Sequence, residues 1–148
     1  IILHGLSMGG GIALDLCDQE MENVKGIISD APSISLRGFF EGVAGHIFKE
    51  DGKKIAPLTI ARFEQEFGVR VDDFHCADHV SRSRYPILFS AGSKEKMEEI
   101  FADFKNRNPQ PTEIIILPGC NHGNGMYKQT EMFQSAIQSF VCRYIQDA

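Results

Sequence analysis

Ser7 stands between two glycines in His4-Gly5-Leu6-Ser7-Met8-Gly9, after a short apolar run and before Gly10, Gly11, Ile12 and Ala13. Where a G-x-S-x-G pentapeptide joins a strand to a helix, the turn is too sharp for bulky side chains at the glycine positions. The serine hydroxyl is left clear at its tip. The helix then starts with the Met8 amide directed at whatever bonds to Ser7, which suits that amide to a developing oxyanion. A serine hydroxyl is a poor nucleophile at neutral pH, so the chemistry needs a histidine as base and an acid to hold the histidine. Of the five histidines, His122 lies in the glycine-rich stretch "LPGCNHGNG" that follows an apolar run. His4 precedes the turn, and His46, His75 and His79 fall in or just after a stretch of helical character. The cluster His75-Cys76-Ala77-Asp78-His79 lacks a recognised ligand spacing, so no metal site is read there.

These groups need elements to carry them. Ile1 to Leu3 reads as the tail of a strand, and Ile12, Ala13 and Leu16 sit at helical spacing beyond the turn. Val24 to Ser29 reads as a second strand, ended by Asp30-Ala31-Pro32 because proline cannot continue the ladder. From Leu36 to Phe67 the apolar spacing predicts two or three short helices. Pro86 to Ala91 is a third strand, followed by a helix with Met97, Ile100, Phe101 and Phe104 on one face. The apolar run from Glu113 suits a fourth strand covered on both faces, and Phe133, Ala136, Ile137, Phe140 and Tyr144 stripe a closing helix. Strands alternating with helices predict an α/β fold, a parallel sheet with helices on both faces. Its ligands gather at the carboxyl ends of the strands.

The chain has 148 residues, of which 43% are hydrophobic, enough to bury the core of one domain. Its net charge of -5 is spread over mixed acidic and basic residues, which excludes a phosphate-neutralising patch and hence nucleic acid as a partner. No apolar run approaches the roughly 20 residues that cross a bilayer, so no membrane association is expected and the reading is a soluble, cytoplasmic chain. Cys17, Cys76, Cys120 and Cys142 are widely spaced, which fits reduced and mostly buried thiols.

The pieces "HGLSMGG", "NVKGIISDAP", "YPILFSAG" and "IIILPGCNHG" occur in the order of the α/β-hydrolase fold serine hydrolases, and the chain resembles the esterase-like and prolyl-peptidase-like branch of that family. The resemblance implies that Ser7 is the nucleophile and His122 the general base. Residues 32–84 would be a lid inserted in the domain. In the family the acid follows the strand matching "PILFSAG" by three residues after its glycine, which is Glu95 here. A glutamate replaces the usual aspartate and the loop after it is short. Asp30, where some lipase-like members carry the acid, is the alternative, with Glu95 expected nearer the His122 ring. The implied activity is carboxylesterase-like, acting on an ester, thioester or amide through an acyl-enzyme, with a small acyl substrate and no cofactor. Phe39, Phe40, Val43 and Ile47 of the lid point to an acyl or aromatic group near the serine. The family has several strands before the serine, so residues 1–148 are expected to form a partial domain lacking the first strands. The first strand is then expected to pair with a polypeptide supplying those strands, or with a second copy in a homodimer. The competing expectation is a catalytically incomplete module for binding or assembly.

Overall fold

The computed structural model describes residues 1–144. Four parallel strands form one sheet in the order β1 (Ile2–Leu6), β2 (Gly26–Asp30), β3 (Ile87–Gly92) and β4 (Thr112–Leu117). Each strand is followed by at least one helix, the arrangement that parallel neighbours require because the chain must cross back between them. The helices are α1 (Met8–Asp15), α2 (Leu36–Phe48), α3 (Gly52–Phe67), α4 (Cys76–Val80), α5 (Glu98–Arg107), α6 (Gly125–Lys128) and α7 (Thr130–Tyr144).

Alternation along the strands divides the core. Ile27, Ile87, Phe89 and Ala91 face α1, α4 and α5, where they meet Leu14, Val80, Phe101 and Phe104. The Phe89 and Phe101 rings stack with centroids 4.9 Å apart. Ile28 and Leu88 point the other way, onto Phe140 of α7. Both faces of β4 are covered, with Ile114 and Ile116 on the α5 side and Ile115 against α7. β1 and β4 are the outer strands of the described sheet.

Several boundaries differ from the sequence reading. β1 runs on to Leu6, since Gly5 and Leu6 pair with Ser29 and Asp30 and the ladder continues right up to the serine. β2 starts at Gly26 rather than Val24, because Asn23 takes a positive φ of 63° in the turn before it. The helices expected between Leu36 and Phe67 are two in number, α2 and α3, but longer than expected at 13 and 16 residues. Gly42 and Gly45 sit within α2 without breaking it.

The helical excursion between β2 and β3 leaves and returns through a narrow neck. Ser35 and His75 form an isolated antiparallel bridge. The Leu36 amide donates to the Phe74 carbonyl at 3.2 Å, and the Cys76 amide to the Ile34 carbonyl at 3.1 Å. No helix among the described residues is long and apolar enough to cross a membrane.

Candidate active site

In the sheet register Leu6 lies beside Asp30, Asp30 beside Ser90 and Gly92 beside Leu117. All four strands therefore end on one rim, and the residues just beyond their ends become neighbours. Ser7 comes first, at φ 56° and ψ -117° between β1 and α1. This left-handed backbone is costly for a residue with a side chain and persists only where its surroundings fix it. Here three hydrogen bonds do so. The Ser7 amide donates to the Asp30 carbonyl at 2.8 Å, while the Ser7 carbonyl accepts from Ser33 at 3.0 Å and Gly11 at 3.1 Å.

The two glycines of the pentapeptide are not equivalent. A Cβ on Gly5 would fall 2.1 Å from the Gly9 carbonyl oxygen, whereas a Cβ on Gly9 would meet nothing within 4 Å. The expected crowding at both positions holds only for Gly5. Close packing recurs at Gly11, where a Cβ would lie 2.2 Å from the Ser33 carbonyl oxygen.

His122 lies in the loop between β4 and α6, and its Nε2 is 2.8 Å from Ser7 Oγ. Its Nδ1 is 2.6 Å from Glu95 Oε2. A carboxylate only accepts, so Nδ1–H donates to Glu95 and Nε2 is left to accept the serine proton. The other Glu95 oxygen, Oε1, accepts from the Gly92 amide at 2.8 Å, which anchors the carboxylate at the end of β3. The short loop after β3 does not carry Glu95 away from the histidine. Ser93–Glu95 coils into a single 3-10 turn that doubles the glutamate back toward the strand. Two bonds join this turn to the histidine loop. The Lys94 amide donates to the Cys120 carbonyl at 3.1 Å, and Ser93 Oγ accepts from the Gly119 amide at 3.0 Å. Glu95 is largely covered, with 13% side-chain exposure against 56% for His122. The acid is held inside while the ring faces outward.

Asp30, the alternative acid, is only 3% exposed and turns to a different partner, accepting from Ser90 Oγ at 2.5 Å. Burial pushes its pKa up, against the pull of the Ser90 hydroxyl and of His4. Met8 is the first residue of α1, so its amide has no acceptor one turn back in the helix and stays available beside Ser7.

The four apolar residues expected near the serine separate. Phe39 lines a pocket of about 250 Å³ that also touches Met8, Gly11 and Ser33. Phe40 lines a different cleft of about 470 Å³ between α2 and α3, its ring 5.1 Å from that of Phe63. Val43 and Ile47 are 40% and 60% exposed and line neither space. Sequence reasoning missed Ser33, which braces the elbow, and Asp15, Leu36, Phe74 and Cys76, which complete the pocket around Phe39. No short-range pattern marks them, because the neck at Ser35 and His75 is what brings them together.

Comparison with solved structures identifies the architecture. An α/β hydrolase from the metagenome of lagoon sediments at Mar Chica, Morocco, superposes with a TM-score of 0.64 at 22% identity, over 96% of this chain and 61% of that one. The fold is the α/β-hydrolase fold. An esterase of Pyrococcus furiosus matches with a TM-score of 0.64 at 19% identity, over 96% of this chain and 53% of that one. A serine hydrolase involved in carbazole degradation matches at 0.61 with 18% identity, over 94% of this chain and 62% of that one. The chain thus spans between half and two thirds of the length of these α/β-hydrolase-fold proteins. Neither a protein-family model nor a curated protein matches the sequence.

Proposed function

We propose that this chain carries a serine-hydrolase site of carboxylesterase type, acting on an ester, thioester or amide through an acyl-enzyme. The observation that supports the reading best is the unbroken line of contacts from Ser7 Oγ through the His122 ring to Glu95. In this reading His122 Nε2 takes the Ser7 proton as Oγ attacks the substrate carbonyl, and the carbonyl oxygen becomes an oxyanion facing the Met8 amide. The bond to the leaving group then breaks, and the proton on Nε2 passes to the departing oxygen, sulfur or nitrogen. Water repeats the sequence. It gives His122 a proton, attacks the acyl carbon and releases the acid, and the proton returns to Ser7. Glu95 stays ionised and steadies the imidazolium that forms twice in the cycle.

Among these substrates an ester is the first choice in this reading. Residues 32–84 act as the lid in this reading, with Phe39 sharing a pocket with Met8, the residue after the serine. A fluorophosphonate probe, which bonds to an activated serine, tests the proposal directly. Labelling of the wild-type chain that is absent in Ser7→Ala supports it. An unlabelled Ser7 in the folded chain favours the reading as a binding or assembly module.

A further inference from the structure

The pocket around Phe39 contains a charge that the proposed chemistry does not use. Met8, Gly11, Ile12 and Asp15 fall at i, i+3, i+4 and i+7 on α1 and line one wall. At the helical rise, Asp15 lies about 10 Å along the axis from Met8. Leu36, Phe39 and Phe74 supply apolar surface opposite. Asp15 Oδ1 is buried and has no hydrogen-bond partner among the described residues. None of the ion pairs among those residues includes Asp15. The nearby Cys76 thiol is raised in pKa first by burial, then by the Asp15 charge and by its approach to the Asp15 side chain. Its single weak proton is directed at the carbonyls of Gly11 at 3.6 Å and Ser33 at 3.8 Å. Asp18, the next acid along the chain, is by contrast paired through its Oδ2, 2.9 Å from Arg82 and 3.1 Å from His79. A carboxylate oxygen buried without a hydrogen-bond partner beside an apolar groove is an unmet acceptor, and a bound cation would meet it.

Resting on the serine-hydrolase reading of Ser7, we propose that this groove receives the acyl group and that Asp15 selects acyl chains ending in a primary ammonium. The leaving group must lie beside His122, which hands it a proton, whereas the groove is lined by Met8, the chain neighbour of Ser7, and by no residue of the His122 loop. The acyl side therefore faces α1. The apolar walls hold the methylene chain and the ammonium donates to the Asp15 carboxylate.

The test compares p-nitrophenyl ε-aminocaproate with p-nitrophenyl heptanoate, esters of matched length with and without the terminal charge. Wild type is expected to favour the ammonium ester in kcat/KM by at least about tenfold. Asp15→Asn, of the same shape, and Asp15→Leu, which removes the unmet acceptor and should fold at least as stably, are both expected to reverse the preference. Hydrolysis of the heptanoate ester with an unchanged ratio in both variants overturns the Asp15 assignment and leaves the hydrolase reading standing. If neither ester is hydrolysed the hydrolase reading fails, and thermal melting with n-hexylamine against n-hexanol decides the groove separately. A rise in Tm with the amine alone, abolished in Asp15→Leu, supports the ammonium site. No rise, or a rise that survives Asp15→Leu, overturns it.

Discussion

Ser7 Oγ and His122 Nε2 are 2.8 Å apart although 115 residues separate them in the chain. The ends of β1 and β4 carry them to the same rim, and the turn between Ser93 and Glu95 supplies the carboxylate on the far side of the ring. If the three groups act together, Ser7→Ala and His122→Ala should each lower ester hydrolysis by on the order of 10⁴–10⁶-fold with the fold intact by circular dichroism. The double variant should lose little beyond either single one. Ester turnover retained in Ser7→Ala would remove the nucleophile from the mechanism.

Glu95 and Asp30 make distinguishable demands. Glu95→Gln leaves the chain length but loses the charge that steadies the imidazolium, and is expected to cost about 10²–10⁴-fold in kcat. Asp30→Asn should leave kcat within a few-fold, because the Asp30 carboxyl is bonded to Ser90 rather than to the ring. Kinetics in which Asp30→Asn is the more damaging change would exchange the two roles.

The burial of Asp30 also has a signature in stability. Its pKa is raised in the folded protein, burial being the main cause, so folding favours the protonated form. The stability this group contributes is full below its unfolded pKa and is lost as pH rises through the folded one. Asp30→Asn keeps an oxygen to accept from Ser90 and carries no charge. It should melt roughly 2–4 °C above wild type at neutral pH, with the difference shrinking toward acid. A difference that widens on acidification would contradict this account.

The unequal glycines of the elbow give a purely steric comparison. Gly5→Ala places a methyl on the Gly9 carbonyl and should abolish folding or shift the elbow enough to remove probe labelling. Gly9→Ala meets open space within α1 and should raise Tm slightly, since alanine is favoured over glycine in a helix by about 1 kcal/mol. Equal damage from both substitutions would mean that Gly9 is crowded after all.

The parallel sheet was legible because its strands are short apolar runs, each bounded by glycine or proline and each followed by a helical stripe. Ser7 and His122 stood out by residue type and by their place just after such runs. Glu95 was reachable only by counting from Gly92. Whether it could approach the ring depended on a 3-10 turn, which no periodicity announces. The apolar residues of α2 were harder to place for a different reason. Helical spacing shows that Phe39, Phe40, Val43 and Ile47 share a stripe, but not which neighbour that stripe meets. Packing on Phe63 draws Phe40 toward α3, while Phe39 turns to α1. Asp15 and Phe74 lie 59 positions apart in the chain and meet only through the neck.

The neck at Ser35 and His75 separates the helical excursion from the strand ends. Its strands are already bonded to each other, so the span they must close is the same whatever lies between them. Doubling the length of such an excursion costs only about 0.6 kcal/mol in closure entropy. Helices α2 and α3 can be lengthened, trimmed or replaced without altering the strand ends that hold Ser7, Glu95 and His122. Such an arrangement lets the surface above the strand ends vary in shape while the distances among Ser7, His122 and Glu95 stay fixed.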